Sequence, residues 1–134
     1  MTTIESDKVE VNNSMAGTFE FLSDFNNYEG LMPDQITGWE STEDECSFNI
    51  KGMASIGMRI DEKVDGQEIR IKSTNKSPFL FDLNCFLQGE GDACTAHMVF
   101  ESDLNPMLQM MVEKPLGGLF NHIMRQLKVK FDNA

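Results

Sequence analysis

The sequence has 134 residues, of which 40% are apolar and 25% are charged, and its formal net charge is −11 at pH 7. This length suits a single domain over residues 1–134 with a buried core. The acidic balance disfavours nucleic acid and anionic membrane surfaces as partners, because both present negative phosphates. No apolar run is long enough for stable membrane insertion and no leader pattern precedes the first strand, so we expect a cytoplasmic protein.

The first part of the chain predicts one strand followed by two short helices. The strand covers residues 3–11, with Ile4, Val9 and Val11 as its apolar members. Ser14 is a candidate N-cap for a helix over residues 15–23. A second short helical or turn segment covers residues 24–30 and ends before Pro33.

Six alternating segments follow at close spacing and predict an antiparallel meander. Alternation with a period of two residues buries one face of a sheet and leaves the other in water. Turn-forming residues separate the segments, as at Asp65-Gly66 and around Gly89 and Gly91. The segments cover residues 36–41, 46–51, 56–61, 68–74, 79–87 and 93–103.

Residues 106–131 predict a long terminal helix, because apolar residues recur there at i, i+3 and i+4. Asn105 is the candidate N-cap and Pro106 suits the first helical position. Pro115 lacks an N–H and is expected to kink or split the helix. A large sheet with one apolar face needs a cover. We therefore predict an α+β fold in which a curved antiparallel sheet of about six to seven strands wraps around this helix.

Three stretches resemble the START, Bet v 1-like and polyketide cyclase superfamily, also called SRPBCC, which has the helix-grip fold. They are VEVNNSMAGTFEFLSDFNNYEGLMPD (residues 9–34), FNIKGMASIGMRIDEKV (48–64) and FESDLNPMLQMMVEKPLGG (100–118). The resemblance covers essentially the whole chain. Within the superfamily, the chain resembles a small subgroup of bacterial-looking single-domain proteins. The resemblance implies an apolar cavity between sheet and helix that carries lipids, sterols, hormones or polyketides. It also implies that only some members are enzymes.

Candidate catalytic and metal-binding groups are sparse. His97 and His122 are the two histidines, and the cysteines lack the paired spacing of a zinc site. Alternation places Cys85 and His97 on opposite faces of the sheet, which argues against a Cys–His dyad. No glycine pattern matches a phosphate-binding loop. We therefore predict no catalytic residue, no metal and no cofactor, and the odd number of cysteines indicates reduced thiols.

Ten methionines and ten phenylalanines are the remaining signal. Methionine is flexible and suits a surface that accommodates varied apolar guests, but it also fills gaps in solid cores. The residues alone leave both interpretations open, and the resemblance favours a cavity. The predicted cavity wall comprises Phe48, Met58, Phe81, Leu83, Met98 and Phe100 from the sheet and Met107, Met111, Leu119 and Ile123 from the helix.

The leading hypothesis is binding or transport of a small apolar molecule of the lipid, isoprenoid or aromatic polyketide class. Apolar burial would drive binding. Tyr28 near the mouth could supply one hydroxyl, but a structural role for this tyrosine is favoured. One alternative is a polyketide cyclase or dehydratase, which needs an inward polar pair that the sequence does not reveal. The other is a protein-interaction module with a filled core, for an unknown protein partner.

Overall fold

The structure is a computed structural model that describes residues 1–132. Eight strands form one antiparallel sheet in the order β1-β8-β7-β6-β5-β4-β3, and β2 also pairs with β8. This curved sheet with one long terminal helix is the predicted α+β helix-grip architecture, which is therefore confirmed. The strands are β1 (Thr2–Glu5), β2 (Val9–Val11), β3 (Ile36–Ser41), β4 (Glu45–Ile50), β5 (Ala54–Val64), β6 (Glu68–Ser73), β7 (Asp82–Gln88) and β8 (Cys94–Ser102).

The strand count exceeds the prediction because the first strand is interrupted. Glu5 lies opposite Val99 on β8, and Val9 lies opposite Ala96. Glu5 and Val9 are four residues apart, whereas their partners on β8 are three residues apart. The extra residue acts as a β-bulge and reverses which side chains face inward. It lets Ile4 on β1 and Val11 on β2 both be buried, although one is at an even position and the other at an odd position.

The short helices after the first strands are also present. Helix α1 (Met15–Leu22) begins at Ser14, whose Oγ accepts a hydrogen bond from the Gly17 N–H at 3.1 Å. Two 3₁₀ turns follow, at Phe25–Asn27 and Glu29–Leu31. The second of these turns packs against the terminal helix and closes one side of the interior.

Helix α2 (Pro106–Asp132) is continuous, so the expectation that Pro115 splits it is wrong. Pro115 lies on the exposed side, where the carbonyl that loses its N–H partner has access to water. Asn105 caps the helix, because its Oδ1 accepts the Leu108 N–H at 2.9 Å. The helix packs against β1, β2 and β8. None of the helices within residues 1–132 is both long and apolar enough to cross a membrane.

The inner face of the sheet and one face of α2 form the core, and the outer face of the sheet carries charged pairs. Arg70 binds Glu62 at 2.7 Å and Glu68 at 2.6 Å on this outer face. A bulge in β5 between Ile60 and Glu62 turns Glu62 outward. Glu62 is therefore a solvated surface residue.

Candidate functional site

A small cavity lies between the inner face of the sheet and α2. Its volume is about 20 Å³, and its walls come from β4, β5, β7, β8, α2, the second 3₁₀ turn region and the β6–β7 connection. All of the lining side chains are apolar apart from the hydroxyl of Tyr28. The lining residues are Tyr28, Met32, Phe48, Ile56, Met58, Phe79, Phe81, Leu83, Met98, Phe100, Leu116, Leu119, Phe120 and Ile123.

The structure brings together all six predicted sheet residues and two of the four predicted helix residues. Phe48, Met58, Phe81, Leu83, Met98, Phe100, Leu119 and Ile123 all line the cavity. Met107 and Met111 do not, because they lie on the solvent side of α2 with 74% and 56% of their surface exposed. Their placement on the cavity wall is therefore corrected.

Sequence reasoning missed five lining residues: Met32, Ile56, Phe79, Leu116 and Phe120. Ile56, Leu116 and Phe120 share the periodicity of residues that were predicted, so the pattern contained their signal. Phe79 shares the alternation of Phe81 and Leu83 in the predicted segment 79–87, so its signal was present as well, whereas Met32 lies outside the predicted elements.

Four aromatic rings form a connected wall of the cavity. Phe100 stacks on Phe81 with ring centroids 5.2 Å apart and lies 5.9 Å from Phe120 on α2. Phe79 meets Phe100 edge to face at 6.4 Å. Such pairs contribute about 0.5–1.5 kcal/mol each beyond simple burial, so this wall stabilises the packing of α2 against the sheet.

Tyr28 has a structural role in this arrangement. Its hydroxyl is fully buried and donates a hydrogen bond to the Leu22 carbonyl at 2.8 Å. Burial raises the pKa of this hydroxyl well above its usual range, with smaller contributions from Cys85 and Cys46. The Tyr28 proton is thus committed to the backbone at the end of α1.

The cavity is too small for a lipid as it stands. A volume of about 20 Å³ is close to that of a single water probe, and a water held there needs two to four polar partners. The apolar lining does not supply these partners, since its one hydroxyl, on Tyr28, donates to the Leu22 carbonyl. Ligand pockets typically measure about 300–1,000 Å³. A guest must therefore displace side chains, and Met32, Met58 and Met98 are the flexible ones.

The cavity comes nearest to solvent at Met32 and Phe79, and we call this place the mouth of the cavity. These are the two half-buried residues of the lining, and the other lining residues are buried. Met32 follows the second 3₁₀ turn, and Phe79 belongs to the connection between β6 and β7. The mouth is therefore formed by two irregular segments, which can move without breaking a strand pairing.

Serine side chains hold the β6–β7 connection on both sides of Phe79. The Ser77 hydroxyl accepts from the Gly57 N–H at 2.9 Å and donates to the Gly57 carbonyl at 2.7 Å. A side chain at position 57 would collide with this connection, since a Cβ there would lie 2.3 Å from Thr74 Oγ1. The Ser102 hydroxyl donates to the Leu80 carbonyl at 2.5 Å.

The reactive side chains lie apart from one another. In the register of β7 and β8, Cys85 lies opposite Met98 and Phe86 lies opposite His97. The thiol of Cys85 and the imidazole of His97 therefore occupy opposite faces of the sheet. All three cysteines are buried and unpaired. Burial raises the pKa of Cys46 and of Cys85 to about 12, which keeps both thiols protonated. Within residues 1–132, no cluster of three or more His, Cys, Asp or Glu side chains could hold a metal.

Comparison with solved structures identifies the architecture. A START superfamily protein from Mycobacterium smegmatis is 15% identical with a TM-score of 0.70, over 98% of this chain and 97% of that chain. XoxI from Bacillus cereus is 13% identical with a TM-score of 0.77, over 99% and 97%. The di-domain ARO/CYC BexL from the BE-7585A biosynthetic pathway is 10% identical with a TM-score of 0.74, over 98% of this chain and 47% of BexL.

These likenesses show the fold. The chain has the START-like helix-grip fold, as the sequence resemblance predicted. No protein-family model matches the chain, and neither does any curated protein.

Proposed function

We propose that the protein binds a small apolar molecule in the cavity between the sheet and α2. The observation that carries this proposal is the composition of the lining, in which thirteen of fourteen side chains are apolar and the fourteenth, Tyr28, has its hydroxyl proton committed. Binding would be driven by burial of apolar surface, at roughly 25 cal/mol per Å². The proposal takes residues 1–134 as one domain acting in the cytoplasm, where its three buried thiols stay reduced.

Guest binding requires the cavity to expand, and the methionines of the lining are the natural means. Met58 projects from β5 and Met98 from β8, with β6 and β7 between these two strands, and Met32 stands at the mouth. Methionine has three rotatable side-chain bonds, so these residues can change rotamer more easily than the aromatic wall can. We infer that a lipid, isoprenoid or aromatic polyketide fragment would occupy the space these side chains vacate.

Binding is favoured over catalysis by the same lining. Acid–base chemistry needs a proton donor or acceptor within hydrogen-bond reach of the substrate. Among the described lining residues, Tyr28 is the sole side chain with a polar atom, and it donates to Leu22. A cyclase reaction would have to draw its proton-transfer groups from elsewhere.

The test is titration with N-phenyl-1-naphthylamine, a neutral apolar fluorophore that the negative surface does not repel. We expect saturable binding by the wild type and tighter binding by Met98→Ala, because space no longer has to be opened. Met111→Ala is the matched control, since Met111 is exposed and should leave the affinity unchanged. The absence of binding to both wild type and Met98→Ala, each shown to be folded, would rule the proposal out.

Native mass spectrometry of gently purified protein gives an independent answer on the natural guest. We expect an additional mass in the range of a small lipid or polyketide, which organic extraction removes. A guest that is retained by Met111→Ala and altered in amount by Phe79→Ala would support a route between Met32 and Phe79.

A further inference from the structure

The connection between β6 and β7 forms a short loop at the mouth of the cavity. Two hydrogen bonds close the base of this loop. The Ser73 N–H donates to the Phe81 carbonyl at 3.1 Å, and the Phe81 N–H donates to the Ser73 Oγ at 3.0 Å. Residues 74–80 lie beyond this base and belong to neither strand. We call residues 74–80 the mouth loop.

One side chain holds the middle of the mouth loop against the sheet. The Gly57 N–H on β5 donates to the Ser77 Oγ at 2.9 Å, and the Ser77 hydroxyl donates to the Gly57 carbonyl at 2.7 Å. The same carbonyl accepts the Thr74 N–H at 2.9 Å. Within residues 1–132, the structure shows no other hydrogen bond from residues 75–79 to the rest of the protein. The Ser77 side chain is therefore the main restraint on this part of the loop.

Position 57 accepts the mouth loop because it carries no side chain. A Cβ on Gly57 would collide with Thr74 Oγ1 and would lie 2.7 Å from the Lys76 Cβ. Gly57 does not have a positive φ, so its backbone conformation does not itself require glycine. The glycine thus provides the space in which the loop lies, and a side chain at this position would push the loop away.

The mouth loop also places Phe79 on the cavity. The Phe79 ring is half-buried, and its centroid lies 6.0 Å from that of Phe81 and 6.4 Å from that of Phe100. Pro78 stands between Ser77 and Phe79. Proline fixes its own φ and restricts the preceding residue to extended conformations. The backbone from Ser77 to Phe79 is therefore stiff, and release of Ser77 should allow Phe79 to move with it.

We propose that the mouth loop is a lid on the cavity, which the hydrogen bonds between Ser77 and Gly57 hold closed with Phe79 over the mouth. This inference rests on the proposed function, because a lid acts on a guest. The cavity of about 20 Å³ has to enlarge before a guest fits. Movement of the loop displaces one lining ring without breaking the pairing of β6 with β7. Water replaces the lost hydrogen bonds when the lid opens, so opening is a local event.

The first measurement follows the rates at which N-phenyl-1-naphthylamine enters and leaves the protein, by stopped-flow fluorescence. Ser77→Ala removes both hydrogen bonds to Gly57 and should raise the association and dissociation rates about tenfold each, with Kd nearly unchanged. Gly57→Ala should also raise both rates, because its Cβ displaces the loop while the serine hydroxyl is kept. Ser55→Ala is the matched control on β5, since the Ser55 hydroxyl binds Asn49 and does not touch the loop.

A double variant tests whether Ser77 acts through Phe79. Phe79→Ala removes the ring at the mouth and should itself raise both rates. Adding Ser77→Ala to it should then change the rates by less than about twofold, because no ring is left for Ser77 to hold in place. Effects that multiply in full would show that Ser77 supports the structure without controlling the mouth, and would contradict the lid.

Amide hydrogen exchange follows the opening of the lid in the absence of a probe. The Thr74 N–H keeps its Gly57 acceptor in Ser77→Ala, so its exchange reports movement of the loop. We expect it to exchange about tenfold faster in this variant than in the wild type. The paired amides of β6 and β7 should exchange at their wild-type rates, which excludes a general loss of stability.

Three results would overturn the inference. Unchanged exchange of the Thr74 N–H in Ser77→Ala would show that the hydroxyl does not hold the loop. Faster exchange with unchanged rates of probe entry and release would show that the loop opens but is not the way in. If neither the wild type nor Met98→Ala binds the probe, the proposed function itself fails, and the lid inference fails with it.

Discussion

The parts of α2 before and after Pro115 both carry apolar residues at helical spacing, but they have different surroundings. Residues 116–127 supply six buried apolar side chains, whereas Val112 is the one buried residue among 106–115. Met107, Met110 and Met111 instead face solvent. The comparison shows that helical spacing of apolar residues indicates a stripe but not which partner covers it. One part of α2 completes the core, and the other leaves an apolar surface available.

The largest expected effect is on the packed part of the helix. Phe120→Ala removes a ring that lies 5.9 Å from Phe100 and should lower the free energy of unfolding by about 3–5 kcal/mol. Met110→Ala removes an exposed side chain and should change it by less than about 0.5 kcal/mol. Urea denaturation of both variants measures the difference. Similar losses in the two variants would contradict the division of α2.

Alkaline pH should lower the free energy of unfolding through the buried thiols of the packed region. Burial raises the pKa of Cys46 and of Cys85 to about 12, so the folded state retains protons that the unfolded state releases above about pH 9. This contribution to stability is complete below the unfolded pKa and is lost as the pH rises toward 12. Between pH 9 and pH 10.5 each thiol should account for a loss of about 2 kcal/mol.

Cys85→Ala isolates one of these thiols. The loss of stability between pH 9 and pH 10.5 should be smaller by about 2 kcal/mol than in the wild type. Met110→Ala should show the wild-type pH dependence, because it alters no buried titratable group. If Cys85→Ala loses as much stability as the wild type over this interval, the buried thiol does not contribute in this way.

The helix cap tests whether the exposed turns fold together with the packed ones. Asn105→Ala removes the acceptor for the Leu108 N–H and should cost about 1 kcal/mol. Asn105→Asp keeps a capping oxygen and should cost only a few tenths of that. A negligible effect of Asn105→Ala in thermal melting would mean that the first turns of α2 fray independently of the core.

Peroxide should distinguish the exposed methionines from the buried ones. Of the changes considered, this oxidation should have the smallest effect on stability. Oxidation to the sulfoxide requires access to the sulfur, so Met107, Met110 and Met111 should react before Met98 and Met124, which are fully buried. Peptide mass spectrometry after brief treatment gives the order, and the melting temperature should stay unchanged at that stage. Early oxidation of Met98 would show that the cavity opens more readily than the static packing implies.

Most of the fold could be predicted because its elements are long and regularly patterned. The alternating segments from residue 36 to residue 103 appear as strands with bounds that differ by a few residues. The apolar residues of the first segment change from even to odd positions between Ile4 and Val9, but the place of the break after Glu5 is fixed by pairing with β8 and could not be predicted. The register also placed Cys85 and His97 on opposite faces, as the alternation predicted.

The candidate site was predictable on the sheet and ambiguous on the helix. Apolar residues occupy two sides of α2 before Pro115, with Leu108 and Val112 on one and Met107 and Met111 on the other. Periodicity cannot choose between two apolar sides, and tertiary packing selected Val112. Met32 was missed because a side chain in an irregular segment is directed by its tertiary contacts, whereas the direction of Phe79 was already given by its alternation with Phe81 and Leu83.

The most direct test of the account follows the methionine methyl groups by NMR, with the methyls labelled with ¹³C, while N-phenyl-1-naphthylamine is added. The account predicts saturable chemical-shift changes at Met32, Met58 and Met98, which line the cavity. It predicts unchanged signals at Met107, Met110 and Met111 on the surface of α2. Shifts confined to the surface methionines, with none at Met58 or Met98, would contradict binding in the cavity.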